Sequence, residues 1–375
     1  MKKTPPPSKT LNFNFKFFDY ALFTVIVTLI LVSLTMLYSV SSIQALNKYQ
    51  SSVYFLKKQV LWSFAGFIAM IVVIFTDLER LREYIPFMVL GTAFLLLVTL
   101  FMPAVQHVHR WIPLGFMRFQ TSELAKIIVV LFIADYFDRN FSKIAASLKY
   151  IVKPFLIVSV LLVLIALEPD LGTPALLFAI TLSMMYVSGV KLKYLLMPVL
   201  LAIPVFIIEL IRHPYRLVRL RSWLSPLDHM KDETYQLSQS LIAIGSGGWF
   251  GVGFGASNIK LSYLPELHTD FIFPIMAEEF GLAGAMVIIG VFLFFLFRGL
   301  SIAKHARSHY LSLVAAGATL LIVFQAFFNI AMTAGLIPTK GLPLPFFSYG
   351  GTSIMTTLIL CGLILNISLR RKTTV

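Results

Sequence analysis

The sequence predicts an all-α polytopic membrane protein, a bundle of about ten transmembrane helices with a large extracytoplasmic loop between helices 7 and 8. The first observation is composition: 58% of the 375 residues are hydrophobic, 13% are charged, and the mean hydropathy is +0.86. Soluble domains carry roughly 25% charged residues. The second observation is that apolar runs of about 20 residues, long enough to cross a bilayer, recur along the chain. These runs lie near 20–40, 60–76, 85–103, 122–137, 152–168, 171–189, 192–211, 271–297, 311–336 and 345–369.

The third observation, the placement of lysine and arginine, predicts that both termini lie in the cytoplasm. With ten spans, eighteen of these residues fall on the inner side and six in the short outer loops. Such an excess marks the cytoplasmic side. The chain then divides into a basic N-terminal tail (1–19), one transmembrane domain (20–369) with an outer loop at about 212–270, and a C-terminal tail (370–375). The net charge of +14 follows from this topology and from attraction to anionic lipid, so it does not indicate nucleic-acid binding.

Two opposite charges, Glu123 and Lys126, lie three residues apart in the fourth predicted helix. This spacing puts them on one helix face, where they can pair. The pair either fixes helix packing or lines and shapes a substrate cavity, because ionisable groups inside a span face a polar interior. A cap at Thr121 or Ser122, with Glu123 in the first turn near the positive end of the helix, favours the packing role.

The predicted outer face carries a short acidic turn and two basic clusters. Glu168 and Asp170 either bind a divalent cation or cap the following helix. Arg110 lies in HVHRWIPLGFMRFQ, and Arg216 and Arg219 lie in YRLVRLRSW. The guanidinium fork suits a phosphate group. Anchoring at the lipid headgroups is the alternative for both clusters.

Asp270 is the last charged residue before an apolar run, and Glu266 and His268 precede it in LPELHTDFIF. As a simple helix cap it would contribute about 1 kcal/mol. As a general base it would need to reach an acceptor hydroxyl, with His268 or Glu266 in support. Glu278 and Glu279, one to two turns deeper, are not explained by capping and indicate a polar cavity.

Four segments together resemble one family. RFQTSELAK, EPDLGT, YLPELHTDFIF…AEEFG and NIAMTAGLIPTKGLPLPFFSYGGTS are similar to the SEDS family of cell-wall proteins (shape, elongation, division and sporulation), typified by FtsW and RodA. The resemblance covers the chain from about residue 19. The segments GVGFGASNIKLSYLPELHTDFIF and PLPFFSYGGTSI…LNIS favour the division branch, FtsW, over the elongation branch, RodA.

The resemblance implies a peptidoglycan glycosyltransferase, multi-pass in the bacterial cytoplasmic membrane, that polymerises lipid II at its outer face in cell division or elongation. The catalytic Asp of the family's HTDFIF segment falls on Asp270. The partners implied are lipid II, a class B penicillin-binding protein and other division or elongation membrane proteins. A divalent cation, Mg²⁺ or Mn²⁺, is also expected. The residues expected to contact substrate are Arg110, Arg216, Arg219, Glu266, His268, Ser348, Gly350 and Gly351, and those expected to shape the cavity are Glu123, Lys126, Glu168, Asp170, Glu278 and Glu279.

The resemblance leads to a mechanistic hypothesis. Asp270 removes the proton of the acceptor 4-hydroxyl, which attacks the anomeric carbon of the donor, as the base of an inverting glycosidase does for water. The departing diphosphate is stabilised by a divalent cation, by arginines such as Arg110 and Arg216, or by both. A lipid II flippase and a non-catalytic scaffold are the alternatives. Transport would depend on residues along a path through the bundle, and a scaffold would not need Asp270.

Overall fold

In the computed structural model, the described residues are 15–103, 108–113, 115, 118–144, 149–168, 170–212, 214–225, 235–257 and 269–370. They form a helical bundle, and the predicted all-α membrane class is confirmed. A single β-hairpin pairs β1 (Trp111–Pro113) with antiparallel β2 (Arg118–Gln120). Short 3₁₀ turns lie at Phe15–Phe17 and Arg82–Tyr84. The α-helices are α1 (Tyr20–Tyr49), α2 (Tyr54–Phe75), α3 (Leu78–Leu81), α4 (Ile85–Leu100), α5 (Thr121–Arg139), α6 (Phe141–Ile144), α7 (Lys149–Leu167), α8 (Gly172–Val187), α9 (Leu192–Arg212), α10 (Pro214–Leu224), α11 (Tyr235–Ser246), α12 (Ile272–Lys304), α13 (His309–Thr333) and α14 (Gly351–Ser368).

Each of the ten predicted spans coincides with one of these helices. By length and composition, seven helical segments among the described residues are long and apolar enough to cross a membrane. The other three predicted spans fall on α5, which carries several charges, and on the shorter apolar stretches of α8 and α9. The chain is a multi-pass membrane protein, and the number of spans and their orientation stay predictions.

Helices α13 and α14 form the centre of the bundle. In the most apolar 18-residue stretch of each, 78% and 83% of the stretch is buried inside the protein, against 22% to 39% in the other five candidate spans. Helix α13 packs against α5, α8, α12 and α14, and α2 packs along α14. Close approach of α2 and α14 depends on glycine, because a Cβ at Gly362 would lie 2.8 Å from the Met70 carbonyl oxygen. Small residues at such crossings let membrane helices come together.

Helix α12 is broken at Gly281, whose φ of 68° and ψ of −168° are not helical. A break in a membrane helix is tolerated only when other groups satisfy the freed backbone. Here the glycine-rich segment 247–253 supplies them. The backbone hydrogen bonds across the break are Val252 N to Glu278 O (3.0 Å), Gly253 N to Glu279 O (3.1 Å), Leu282 N to Gly248 O (2.9 Å) and Ala283 N to Trp249 O (3.0 Å).

The two backbones meet so closely that side chains are excluded. A Cβ at Gly281 would lie 2.4 Å from Gly251 N, and a Cβ at Gly251 would lie 2.2 Å from Glu279 O. The same segment resembles a phosphate-binding loop in sequence only. Its glycines serve the docking of one backbone on another.

Candidate active site

Asp270 lies two residues before the start of α12 and is half-buried. The cap position of this helix is Phe271, so Asp270 is not the cap residue that the simpler interpretation required. Its carboxylate lies beside Gly341, where an added Cβ would be 3.0 Å from Oδ2. Gly341 is exposed, and its lack of a side chain leaves the carboxylate approachable from that side.

The segment 334–350, named here the C-terminal loop, connects α13 to α14, places Gly341 beside the Asp270 carboxylate and contains the predicted site residues Ser348 and Gly350. Asn329, near the end of α13, donates from Nδ2 to the Asp270 carbonyl oxygen (2.8 Å) and to the Leu342 carbonyl oxygen (2.7 Å). One amide therefore joins the segment that carries Asp270 to the C-terminal loop.

The ion pair that the spacing of Glu123 and Lys126 predicts is present, with 2.7 Å between Lys126 Nζ and Glu123 Oε1. Both side chains are buried. Lys126 Nζ also donates to Gln325 Oε1 (2.9 Å), and Gln325 Nε2 donates to the Pro343 carbonyl oxygen (2.8 Å). The pair is thus connected through α13 to the C-terminal loop. The predicted cap of α5 is wrong, because the cap position is Gln120 and Thr121 instead lies 3.0 Å from the Thr99 hydroxyl.

Replacing Lys126 with Met is expected to destabilise the protein by about 3–5 kcal/mol, because Glu123 would stay buried without its cation. The double variant Glu123→Gln with Lys126→Met removes both charges and is expected to recover most of that loss. The measurement is thermal unfolding in detergent, with Lys191→Met as the control because Lys191 is exposed. Equal unfolding temperatures for Lys126→Met and Lys191→Met would show that the pair contributes no stability.

The two carboxylates of the acidic turn, Glu168 and Asp170, have different surroundings. Asp170 accepts from Thr173 N (3.1 Å) and from Thr173 Oγ1 (2.8 Å), so it bonds the first turn of α8, although the cap position of that helix is Leu171. Glu168 is buried, and its Oε1 accepts from Thr121 Oγ1 at 3.4 Å. The turn reaches the C-terminal loop through Gly172, where an added Cβ would lie 3.0 Å from Leu342 Cγ.

Burial raises the pKa of the Glu168 carboxyl, in the turn after α7, from 4.5 to about 8, and the negative charge of Asp170 adds to the rise. The folded protein then keeps a proton at Glu168 that the unfolded chain releases near pH 4.5. Stability from this group is therefore complete below pH 4.5 and is lost as the pH rises to 8. A tenfold difference in proton affinity between the folded and unfolded states corresponds to about 1.4 kcal/mol of this stability.

Glu168→Gln is expected to flatten the decline in stability between pH 5 and pH 8 and to unfold at a higher temperature than the unsubstituted protein at pH 8. The physical reason is that a neutral amide has no burial penalty that grows with pH. The measurement is the unfolding temperature across this range, with the exposed Glu83→Gln as control. Parallel curves for the unsubstituted protein and Glu168→Gln would contradict the raised pKa.

Arg110 of the first basic cluster bonds the acidic turn, and the helix that carries the second cluster is attached to the C-terminal loop. Arg110 is half-buried and its Nε donates to the Glu168 carbonyl oxygen at 3.2 Å. Arg219 is exposed on α10 and lies one helical turn before Trp223, on the same face. Trp223 Nε1 donates to the carbonyl oxygen of Gly335, in the C-terminal loop (2.8 Å). The side chain of Arg216 and residues Glu266 and His268 lie outside the described residues.

Ser348, Gly350 and Gly351 hold the far end of the C-terminal loop against α2. Ser348 is buried, and its Oγ accepts from Leu344 N at 2.7 Å. The Gln59 side chain donates to the Ser348 carbonyl oxygen (3.4 Å) and accepts from Gly350 N (3.3 Å). A Cβ at Gly351 would lie 2.9 Å from the Trp62 indole ring. These contacts explain the three residues by packing, and their contact with substrate stays a prediction.

Glu278 and Glu279 are buried on the short part of α12 that precedes the break. Ser257 Oγ donates to Glu278 Oε2, and Ser39 Oγ donates to Glu279 Oε1 at 3.1 Å. The two carboxylates therefore tie α12 to Ser257, four residues after the glycine-rich segment, and to α1.

Sequence reasoning missed Asn329, Gln325 and the organising role of the C-terminal loop. A signal was available, because Gln325, Asn329 and Thr333 recur at every fourth position of an otherwise apolar span. Among the described residues, no three or more His, Cys, Asp or Glu side chains are grouped so that they could hold a metal ion.

Comparison with known proteins gives consistent matches. The family model of FtsW, RodA and SpoVE, described as cell cycle protein, matches residues 20–373. A probable peptidoglycan glycosyltransferase FtsW of Nitrosomonas europaea is 40% identical over 367 residues, covering 93% of this chain and 92% of that one. The protein of the same name from Legionella pneumophila is 36% identical over 356 residues, covering 93% and 90%.

Solved structures share the fold. One, from work on the structural coordination of polymerization and crosslinking by a peptidoglycan synthase complex, has a TM-score of 0.78 at 23% identity and covers 94% of this chain and 97% of that one. The rod shape determining protein RodA of Thermus thermophilus has a TM-score of 0.70 at 24% identity and covers 95% and 98%.

Proposed function

Because this chain belongs to the cell cycle protein family of FtsW, RodA and SpoVE, we propose that it is a peptidoglycan glycosyltransferase that polymerises lipid II at the outer face of the bacterial cytoplasmic membrane. Relatives that are 34% to 40% identical over more than nine-tenths of the chain carry the name peptidoglycan glycosyltransferase. The division branch is favoured, because these relatives are FtsW proteins.

The observation that carries the mechanism is the Asp270 carboxylate at the end of a membrane helix, next to the glycine at position 341 and with its main chain held by Asn329. A carboxylate at the end of a membrane helix suits a substrate whose isoprenoid tail lies in the bilayer and whose sugars lie outside. A general base must lie within hydrogen-bond reach of the proton it removes. The missing side chain at Gly341 leaves room for an acceptor hydroxyl.

In the proposed step, Asp270 accepts the proton of the 4-hydroxyl of the acceptor N-acetylglucosamine. The oxygen attacks the anomeric carbon of the donor N-acetylmuramic acid. The bond between that carbon and the diphosphate breaks as the new glycosidic bond forms, and the electron pair leaves with the polyprenyl diphosphate. One base suffices, because a diphosphate leaving group needs its charge neutralised and needs no proton.

Arginines of the two basic clusters would neutralise that charge. Arg219 lies on the face of α10 that Trp223 attaches to the C-terminal loop, and Arg110 lies beside the acidic turn that packs on the same loop. Arg216 lies three residues before Arg219 in the same basic cluster. Preorganised cations aimed at a developing negative charge are among the strongest contributors to catalysis.

A divalent cation, Mg²⁺ or Mn²⁺, is part of the proposal. The described residues offer no cluster of three ligands, and both oxygens of Asp170 are occupied by Thr173. The cation would therefore take most of its ligands from the substrate diphosphate and from water, as Mg²⁺ commonly does. Its contribution when bound is to neutralise charge on the leaving diphosphate.

The proposed partner is a class B penicillin-binding protein, which would crosslink the strands that this protein makes. The fold shared with a chain of a peptidoglycan synthase complex supports this assignment. Other membrane proteins of the division machinery are further proposed partners.

The test is a polymerisation assay with purified protein, lipid II and Mg²⁺ or Mn²⁺, with and without a class B partner. Glycan chains of several sugar units are expected, and removal of the cation with a chelator is expected to reduce their formation. The same preparation in liposomes with fluorescent lipid II is assayed for flipping. Flipping without any polymerisation, even with the partner present, would replace the proposal by transport.

A further inference from the structure

Helix α13 carries a stripe of polar side chains through the centre of the bundle. Gln325, Asn329 and Thr333 are four residues apart, so they lie on one helix face. All three are buried in a segment that otherwise qualifies as a membrane span. Polar residues in such a place normally face other polar groups and mark functional positions.

The stripe is bonded to segments outside α13 that meet at the proposed base. Gln325 donates to Pro343 O, and Asn329 donates to Leu342 O and to Asp270 O. At the end of the stripe, the Thr333 carbonyl oxygen accepts from Ser240 Oγ of α11 at 2.6 Å.

The orientation of the Asn329 amide is fixed by its partners. Two carbonyl oxygens face the same nitrogen at 2.8 Å and 2.7 Å. A flipped amide would put an oxygen against both carbonyls, where no donor would remain. Asn329 is fully buried, so water does not compete for these bonds.

We propose that Asn329 is a positioning residue for Asp270, which it places by joining the Asp270 main chain to the C-terminal loop through one side-chain amide. The inference rests on the proposed role of Asp270 as the general base. Asn329 does not touch the carboxylate in this arrangement. It sets where the carboxylate stands relative to Gly341 and so to the acceptor hydroxyl.

The buried ion pair of Glu123 and Lys126 is connected to the same polar stripe. Lys126 donates to the Gln325 side-chain oxygen and so fixes the direction of the Gln325 amide. The nitrogen of that amide donates to the carbonyl oxygen of Pro343, the residue after Leu342. The C-terminal loop is therefore held at consecutive carbonyls by two side chains of one helix. The ion pair anchors this arrangement in the interior of the bundle.

The test compares Asn329→Ala with Asn329→Ser in the lipid II polymerisation assay. Ala and Ser are nearly equal in size, but only Ser has a donor, so the pair separates hydrogen bonding from volume. For Ala, kcat is expected to fall about thirtyfold or more while KM changes less than about threefold, because small displacements of a catalytic group cost up to 10²-fold. Asn329→Ser is expected to recover several-fold of that loss, since its shorter side chain leaves room for a water molecule through which the hydroxyl binds the carbonyls.

Controls separate positioning from damage to the fold. Thr319→Val removes a buried hydroxyl of the same helix that bonds the Ala315 carbonyl oxygen, and it is expected to stay within about twofold of the unsubstituted protein. The stoichiometry of lipid II binding measures the fraction of folded molecules and is expected to be unchanged in both Asn329 variants. Where Asn329→Ala does not fold, Gln325→Met takes its place, and a several-fold fall in kcat with unchanged KM is expected.

The outcomes are distinguishable from those of the proposed function. Asp270→Asn is assayed alongside, and its full activity would remove the base and the inference together. If Asp270→Asn is inactive while Asn329→Ala, or Gln325→Met in its place, is as active as Thr319→Val, the inference about Asn329 is overturned and the proposed function stands. If Asn329→Ala and Asn329→Ser lose equal activity, or if the loss of activity equals the loss of lipid II binding sites, Asn329 has only a packing role.

Discussion

Replacing Asp270 with Asn is expected to lower lipid II polymerisation by about 10²–10⁴-fold, the range that a general base contributes. The amide keeps the shape of the side chain beside Gly341 but cannot accept the proton of the acceptor hydroxyl. Lipid II binding and the unfolding temperature are expected to stay close to those of the unsubstituted protein, because Asp270 is half-buried and is not the cap of α12. The measurement is glycan-chain formation together with equilibrium binding of lipid II.

Two further variants sharpen this test. Asp270→Glu keeps a carboxylate but moves it by one methylene, so an intermediate rate is expected. Glu83→Gln removes an exposed carboxylate elsewhere in the chain and is expected to have no effect. Full polymerising activity in folded Asp270→Asn protein would show that another group removes the proton.

Gly281→Ala is expected to destabilise the protein by more than about 3 kcal/mol, because two penalties add. The first is backbone strain, since a φ of 68° with a ψ of −168° is a conformation open essentially to glycine alone. The second is overlap, since the new Cβ would lie 2.4 Å from Gly251 N and 2.6 Å from Phe250 N. The glycine-rich segment would have to leave the break, and Glu278 and Glu279 would lose the bonds to their carbonyls.

The matched control lies in the same helix. Gly290 is exposed and an added Cβ would meet nothing within 4 Å, so Gly290→Ala is expected to be neutral or to stabilise by up to about 1 kcal/mol. Thermal unfolding in detergent compares the two variants, and polymerisation is measured on the folded fraction. If Gly281→Ala unfolds at a temperature as high as that of Gly290→Ala, a side chain at position 281 costs no stability and the prediction is wrong.

The bundle itself could be predicted from the sequence, because the length of an apolar run reports directly on the bilayer. The break in α12 could not be predicted. Isolated glycines are common in membrane helices, so nothing in AEEFGLAG marks Gly281 as a break. The need for Gly281 arises from Gly251, thirty residues earlier in the chain. Nothing local to either glycine specifies that their backbones meet.

The candidate site was predictable only where its chemistry is local. The pairing of Glu123 with Lys126 follows from helical spacing, and Asp170 bonds the first turn of a helix that begins two residues later. The connection from this pair to Asp270 runs through Gln325 and Asn329, whose partners are main-chain carbonyls of distant segments. Main-chain carbonyls have no sequence signature, so the pattern on α13 showed that polar groups were needed there and not what they bind.

We expect the C-terminal loop to be the last part of the proposed site that is made during synthesis. Several of its partners precede it in the chain, among them Gln59, Gly172, Trp223, Asp270 and Asn329. A ribosome that has added Asp270 must still add Gly341 and Leu342 before Asn329 can join that residue to the loop. Since chains fold from the N-terminus as they emerge, the helices can assemble in the membrane while the proposed base is still unplaced. A nascent chain that stops before residue 341 would carry Asp270 without its neighbours in the C-terminal loop, so we expect polymerisation to begin only after this loop has been made.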